Sequence, residues 1–120
     1  MAKPLGPYTP VVRAGDLLFV SGQVGAKDGE LVPGDTVDQL NQAFANLGAL
    51  LADNDSSLTD VVKITVFLRH MSDFPRMNEA YMAALGDHRP ARTTIGVAEL
   101  PLSALVEIEA TVYKPLASRP

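Results

Sequence analysis

One arginine and one glutamate offer the clearest chemistry in this 120-residue sequence. Arg92 follows Pro90 and opens a stretch with the alternation of a half-buried strand, in a chain whose formal net charge is −4. A planar guanidinium fork fits a carboxylate, and such charge-assisted hydrogen bonds are stronger than neutral ones. Glu107 lies in the middle of a second predicted strand, where a carboxylate needs solvent, a partner or a task. If two neighbouring strands bring both side chains to one pocket, Arg92 can anchor an acid while Glu107 acts as a general base on water.

The same residues also fit a purely structural interpretation. Glu107 and Glu109 alternate onto one face of their strand, so both carboxylates can point to solvent. Arg92 would then form an ordinary ion pair with one of them. The spacing alone leaves both interpretations open.

Other reactive residue types show no pattern that predicts chemistry on its own. The two imidazoles, His70 and His88, lack metal-ligand spacing and the chain has no cysteine, so neither a metal site nor a thiolate nucleophile is predicted. Ser21 lies in VSGQ, not in a G-x-S-x-G nucleophile elbow. Tyr8, in GPYTP, and Asn78, in MNEAY, are each compatible with an ordinary surface position.

Length and composition place these residues in one domain. The chain is 47% hydrophobic and 20% charged, as in a soluble globular domain with its own core. We expect a single domain over residues 1–120, with its core in residues 6–114 and short flexible ends. No apolar run approaches the roughly 20 residues of a membrane span and no signal peptide is evident, so a cytoplasmic location without membrane contact is expected. The acidic balance argues against a nucleic-acid binder.

Hydrophobic periodicity predicts an α+β fold that positions these side chains. The order is strands, helix, strand, helix and two strands, with both helices on one side of a mixed sheet. Thr36 and Gln39 fit a capping box at the start of the first helix. Ser72 or Asp73 would cap the second helix, and Gly86 would end it. The first two predicted strands, 11–13 and 16–21, are joined by a turn at Ala14 and Gly15, and Gly22 ends the second. The other predicted strands are 62–69, one that begins at Arg92, and 105–113. The first predicted helix runs to about Ala52 and the second from 74 to 85.

The sheet face turned away from the helices is predicted to be partly apolar. Phe67, Leu105 and Tyr113 alternate with the inward-facing residues of their strands, which assigns them to that outer face. Since one helical layer covers only one side, apolar residues on the other side suggest a homo-oligomer.

Five segments in order resemble the Rid family, also called YjgF or L-PSP, of reactive-intermediate imine and enamine deaminases. The match runs from Gly6 to about Lys114, nearly the whole chain. The part from Pro90 to Glu109 carries the family signature, P-A-R-[ST], then V-x-x-L-P, then E-I-E. The matching segments are GPYTPVVRAGDLLFVSGQ, LTDVVKITVFL, MSDFPRMNEAY, RPARTTIGVAELP and ALVEIEATVY.

The resemblance implies a chorismate-mutase-like α+β fold assembled as a homotrimer, with active sites in the clefts between subunits. It implies that Arg92 binds the substrate carboxylate and that Glu107 orients water. Thr94 stands where many members have a cysteine, and backbone bonding and pocket shape are the role expected there. The further cleft-lining residues implied are Tyr8, Ser21 and Asn78.

The implied reaction is hydrolysis of a C=N bond. The expected substrates are small 2-imino or enamino acids such as 2-aminoacrylate, its tautomer 2-iminopropanoate, and 2-iminobutanoate; the products are a 2-keto acid and ammonia. No metal or organic cofactor is implied, because the imine is already electrophilic. Two alternatives remain: a non-catalytic trimer that binds small carboxylates or protects other proteins, and an endoribonuclease, which the acidic charge and the lack of a basic stripe disfavour.

Overall fold

The computed structural model describes residues 4–116, which form a five-stranded mixed sheet, a small hairpin and two helices. The predicted flexible ends lie largely outside these residues. The strands are β1 (Val11–Ala14), β2 (Leu17–Val24), the hairpin β3 (Ala26–Lys27) and β4 (Glu30–Leu31), then β5 (Val61–Leu68), β6 (Ala91–Gly96) and β7 (Val106–Tyr113). The sheet order is β1-β2-β7-β5-β6, in which only β5 and β6 are parallel.

Two helices, α1 (Thr36–Ala52) and α2 (Phe74–Leu85), cover one face of this sheet. They share a single hydrophobic core with the inward-facing residues of the strands, and α2 provides the crossover that parallel strands require. The predicted α+β architecture, with both helices on one side, is therefore confirmed. The largest fully buried side chains include Leu18, Leu40, Leu47, Ile64, Met77 and Ile108.

The cap of α1 lies one residue before the predicted one. Asp35 is the N-cap, and its carboxylate accepts hydrogen bonds from the amides of Val37 and Asp38. The Asp38 carboxylate accepts the Asp35 amide in return, at 2.9 Å. The capping box predicted for Thr36 and Gln39 is thus wrong, because an aspartate one residue earlier satisfies the same orphan amides.

The side chains of Thr36 and Gln39, which do not cap α1, connect this helix to the rest of the fold. The buried Thr36 hydroxyl donates to the Asp73 carboxylate at 2.6 Å, which ties α1 to the start of α2. The buried Gln39 side chain accepts the amide of Leu105, the residue before β7, at 2.8 Å. Asp73 precedes α2 as predicted, although it caps no α2 amide, and Gly86 ends α2 as predicted, with a φ of 61°.

The start of β5 departs from the predicted alternation. The alternation of Val62, Ile64, Val66 and Leu68 along the sequence predicts that these four share the buried face. The last three are buried, but Val62 is 46% exposed and Val61 is buried in its place. The register against β7 shifts between Val61 and Lys63. Such an irregularity moves one residue to the other face, and two adjacent valines give no pattern that would reveal it.

The outer face of the sheet is partly apolar, as predicted. Phe67 on β5 and Leu105 before β7 are half-buried, and Tyr113 is 52% exposed. Val12 and Phe19 extend the exposed apolar area across β1 and β2. Within residues 4–116 no second layer covers this face, so it is available to another molecule.

A close approach between α1 and the end of β2 generates a stability prediction. A Cβ on Gly25 would lie 2.4–2.8 Å from backbone atoms of Gln39, which cannot rotate away as a side chain would. We therefore expect Gly25→Ala to lower the free energy of unfolding by about 1–3 kcal/mol or more. Gly48→Ala is the matched control, since Gly48 lies within α1 with nothing near its Cβ position; it should stabilise by about 0.5–1 kcal/mol. Urea denaturation measures both changes, and equal stability of the two variants would contradict this packing.

Candidate functional site

Arg92 lies on the edge strand β6, with its side chain on the helix side of the sheet. Its guanidinium carbon is 4.8 Å from the centre of the Tyr81 ring and 5.6 Å from the centre of the Phe74 ring, both on α2. One guanidinium nitrogen also donates a weak hydrogen bond to the sulfur of Met77 at 4.0 Å. Aromatic faces and a thioether therefore hold this cation in place.

No acidic side chain among residues 4–116 forms an ion pair with Arg92. The interpretation in which Arg92 pairs with Glu107 or Glu109 is therefore wrong for a single chain. A half-buried guanidinium without a carboxylate partner keeps hydrogen-bond donors for an anion from elsewhere. The ion pairs found in that range are Arg76 with Asp35 and Lys114 with Asp60.

Three buried polar atoms on α2 and β6, the elements that carry Arg92 and its aromatic neighbours, make no hydrogen bond to any described residue: Asn78 Oδ1, the Tyr81 hydroxyl and Thr94 Oγ1. Asn78 and Tyr81 lie one turn apart on α2, and Thr94 follows Arg92 on the same face of β6. Each of these atoms keeps hydrogen-bonding capacity that no described residue uses. The structure thus places three predicted site residues, Arg92, Asn78 and Thr94, on these two elements.

Tyr81 is a member of this group that the sequence analysis missed. Phe74, Met77, Tyr81 and Leu85 recur at helical spacing, which predicts a core position for Tyr81, and it is only 4% exposed. Its ring packs edge-on against Phe44 of α1, with 5.8 Å between centroids and a 70° interplanar angle. Burial raises the pKa of its phenol, against a smaller opposing effect of the Arg92 charge. A tyrosine in an aliphatic stripe must place its hydroxyl somewhere, and that is the signal that could have identified it.

Glu107 lies on the opposite, outer face of the sheet. Along β7 the inward-facing neighbours Val106 and Ile108 are buried, whereas Glu107 is half-buried and points away from the helices. Burial, with a second contribution from the charge of Glu109, raises the pKa of the Glu107 carboxyl. A carboxylate in this state is a better proton acceptor than one in water, which suits a general base.

Gly22 provides the space that the Glu107 carboxylate occupies. The pairing of β2 with β7 shifts register between Val20 and Gln23, and β2 continues to Val24, so the prediction that Gly22 ends the strand is wrong. A Cβ on Gly22 would lie 2.6 Å from Oε2 of Glu107 and 2.8 Å from its Cδ. The carboxylate therefore packs directly against the irregular backbone of β2.

Ser21 and Tyr8 lie on the same side of the molecule as this glycine. The Ser21 hydroxyl donates to the Thr9 carbonyl at 2.7 Å, which fixes the segment that carries Tyr8 and occupies the hydroxyl in a structural bond. The Tyr8 oxygen accepts the Leu5 amide at 3.1 Å. Tyr8 is 42% exposed and, together with Gly22, lines a cavity of about 690 Å³.

The Arg92 group and the Glu107 group are separated within one chain. The prediction that their strands are neighbours is wrong, because β5 lies between β6 and β7. Arg92 pairs with Ile64 of β5 and Glu107 with Phe67, three residues further along. Strand spacings place the two Cα atoms roughly 14 Å apart, with their side chains on opposite faces. The sheet stands between them, so one small molecule cannot contact both side chains of a single chain.

Histidines and other metal ligands form no cluster in the described part of the chain. The Nε2 atom of His88 lies 2.7 Å from the Val61 carbonyl oxygen, so this ring hydrogen-bonds to the first residue of β5. Over residues 4–116, no helix has the length and apolar character needed to cross a membrane.

Comparisons with known proteins agree with this architecture. The family model described as endoribonuclease L-PSP matches residues 1–114. A RutC family protein of Pyrococcus horikoshii is 46% identical over 114 residues, which cover 93% of this chain and 90% of that protein. A 2-iminobutanoate/2-iminopropanoate deaminase of Dermatophagoides farinae is 40% identical over 112 residues, with 92% and 88% covered. The crystal structure of E. coli TdcF with bound serine shows 34% identity and a TM-score of 0.87, with 92% of this chain and 91% of that chain covered.

The raised pKa of Glu107 predicts that Glu107→Gln stabilises the fold at neutral pH. Because the ionised carboxylate is less favourable in the folded than in the unfolded chain, the wild type loses stability as the pH rises from the ordinary value of 4.5 through the raised value. Glutamine does not ionise and escapes this loss. Thermal melts at a series of pH values should show a Tm advantage of the variant that is small in acid and grows towards neutrality.

Glu99→Gln, at an exposed position in the loop after β6, is the control for this experiment. Its melting curves give the baseline for replacing an exposed glutamate. A Tm difference for Glu107→Gln that does not change with pH would contradict the desolvated state of the Glu107 carboxylate.

Proposed function

Because the chain belongs to the endoribonuclease L-PSP family, also called the YjgF or Rid family, we propose that it is a hydrolytic deaminase of reactive 2-imino and enamino acids. The proposed substrates are 2-aminoacrylate with its tautomer 2-iminopropanoate, and 2-iminobutanoate. Water adds to the C=N carbon and the nitrogen leaves as ammonia, so that a 2-keto acid remains. The name of the Dermatophagoides farinae relative supports this choice of substrate class.

The state of Arg92 is the observation that carries the proposal. A desolvated cation normally has an acidic partner, yet residues 4–116 offer this one only rings, a sulfur atom and unpaired polar groups. The carboxylate of a small acid would supply the missing counter-charge through a bidentate contact. Fixing one end of the substrate in this way turns an encounter into a positioned attack. The serine bound in the TdcF structure is an amino acid that carries such a carboxylate.

Glu107 is the proposed general base. Its raised pKa favours proton uptake from water as that water attacks the imine carbon, and the same proton can then pass to the departing nitrogen. The absence of a side chain at Gly22 leaves the room that the carboxylate occupies. No metal or organic cofactor takes part in the proposed reaction, because the substrate is already an electrophile.

The other proposed site residues shape the cleft. Tyr8, exposed at the edge of its cavity, closes over the substrate. Asn78 and Thr94 carry unpaired polar atoms beside Arg92 and complete the polar surface around the acid. Ser21 contributes through the Thr9 carbonyl by holding the Tyr8 segment in place.

We propose a homotrimer with sites between subunits, and the separation of Arg92 from Glu107 within one chain supports it. If Arg92 and Glu107 act on one substrate molecule, they must come from different copies of the chain, since the sheet separates them within one copy. The partly apolar outer face, with Phe67 and Phe19, supplies a surface on which a second copy can pack. In this assembly, Arg92 of one subunit and Glu107 of its neighbour form each active site. The cytoplasmic location expected from the sequence stays a prediction.

Two other functions are distinguishable from this one. A non-catalytic carboxylate-binding trimer would use the Arg92 group and leave Glu107 without a role, so the effect of Glu107→Gln on turnover separates this alternative from the proposed enzyme. The family description names an endoribonuclease, but a chain of net charge −4 has little attraction for the phosphate backbone of RNA, and no binding of nucleic acid is proposed.

Single substitutions should separate the acid anchor from the base. Imino acids generated in situ by an amino-acid oxidase or a threonine dehydratase provide the substrate, and their loss is followed with and without the protein. Arg92→Lys keeps the charge but loses the fork, so KM should rise markedly. Glu107→Gln cannot accept a proton, so kcat should fall by roughly 100-fold or more, while a 2-keto acid still binds.

Arg89→Lys and Glu99→Gln are the controls for these two variants. Arg89 donates to carbonyls of its own loop and Glu99 is exposed, so both variants should retain wild-type rates. Folded Arg92→Lys and Glu107→Gln proteins with wild-type rates would exclude the proposed roles. Binding of 2-keto acids without any imine hydrolysis would favour the non-catalytic alternative, and RNA cleavage abolished by Arg92→Ala would favour the endoribonuclease.

Mixing two inactive variants tests the shared site directly. Arg92→Ala and Glu107→Gln each destroy every site in their own trimers. In a closed ring, each interface takes Arg92 from one chain and Glu107 from the next. After random reassembly of an equal mixture, about one quarter of the interfaces have both wild-type residues, so roughly one quarter of the wild-type activity should return. Light scattering on the same samples should report a trimer. No recovery in reassembled mixed trimers would contradict a site built from two chains.

A further inference from the structure

The guanidinium of Arg92 lies over aromatic rings and forms no ion pair with an acidic side chain of residues 4–116. Tyr81 is the nearer of its two aromatic neighbours, at 4.8 Å against 5.6 Å for Phe74. Either ring face can attract the guanidinium, and the contact gains strength where both groups are desolvated. Because Tyr81 is buried and Arg92 half-buried, this contact is better shielded than one on the surface.

A ring holds a cation without consuming its hydrogen-bonding capacity. A carboxylate at the same place would accept two N–H bonds and neutralise the charge. The face of Tyr81 attracts the charge but accepts none of the N–H···O bonds that a substrate acid needs. The arginine is thereby fixed in position and still able to bind an acid.

The plane of the Tyr81 ring is itself set by the core. Phe44 of α1 packs edge-to-face with it, at 5.8 Å and 70°, so the ring cannot tilt without disturbing the contact between the two helices. A continuous chain of contacts therefore runs from Phe44 through Tyr81 to Arg92. The Tyr81 hydroxyl makes no hydrogen bond to any of residues 4–116, so the fold uses the ring and not the oxygen.

We infer that Tyr81 is the positioning residue for Arg92, and that its aromatic ring, held by Phe44, sets the orientation in which the guanidinium receives a carboxylate. The inference rests on the proposed function for the nature of the acid. Tyr81 does not touch the reacting atoms in this assignment; it acts through Arg92.

Three variants test this assignment, with 2-oxobutanoate as the binding probe in calorimetry. Tyr81→Leu removes the ring and should weaken binding roughly tenfold, the scale of a desolvated cation–π contact. In the imine assay the same variant should raise KM far more than it lowers kcat. Tyr81→Phe keeps the ring and should bind like the wild type. Leu85 lies on the buried face of the same helix, so Leu85→Ala is a control for the core packing that Tyr81→Leu loses. The folded Leu85→Ala protein should bind 2-oxobutanoate like the wild type.

The side-chain Nε–H resonance of Arg92 gives a readout that is independent of binding. Ring current from Tyr81 should shift this proton upfield in the wild type and in Tyr81→Phe. In Tyr81→Leu only the more distant Phe74 ring remains, so most of the shift should be lost. Wild-type binding by Tyr81→Leu, an unchanged arginine resonance, or an equal loss of binding in Leu85→Ala would each overturn the inference. A wild-type protein that binds 2-oxobutanoate without hydrolysing imines would overturn the proposed function alone. If the wild type binds no 2-keto acid, the proposed function falls and the arginine resonance alone decides whether Tyr81 positions Arg92.

Discussion

Alternation of side chains along β-strands is the constraint on which the arrangement of this protein depends. A strand turns successive residues to opposite faces, and β5 adds a full strand between β6 and β7. Arg92 and Glu107 are therefore provided with separate surroundings. Residues of α2 and of the edge strand β6 surround Arg92, whereas Glu107 packs against the irregular part of β2. Each of the two residues is positioned by the elements next to it, and the sheet keeps Arg92 and Glu107 at a fixed distance from each other.

The surroundings of both residues reduce the stability of the isolated chain. Unpaired buried polar atoms surround Arg92, and the burial of Glu107 disfavours its ionised form at neutral pH. The rest of the fold compensates with a continuous apolar core and with polar links between elements, such as the bond from Thr36 to Asp73 across the two helices. Groups that would be satisfied by an acid, a water or a second chain are left unsatisfied here, as is common at functional sites.

Hydrophobic periodicity was enough to predict the α+β order and the single helical layer, because each element displays its own inward face. It could not reveal the irregularity at Val61 and Val62, where both residues are apolar, or choose between Asp35 and Thr36 as the cap. The site residues could be selected from their chemistry and from a family resemblance. Their separation depends on strand order, which arises from pairing between distant segments. Tyr81 remained hidden because its periodicity describes burial and says nothing of what the ring faces.

The position of β6 at the edge of the sheet has a consequence for how such a protein can diverge. A residue on an edge strand has one neighbouring strand, whereas a residue of β7 is confined between β2 and β5. The backbone around Arg92 therefore has one strand to accommodate, whereas the backbone around Glu107 has two. Over evolutionary time the backbone that carries Arg92 can therefore shift more readily than the backbone that carries Glu107. One scaffold can in this way vary the surroundings of one residue while it preserves those of the other.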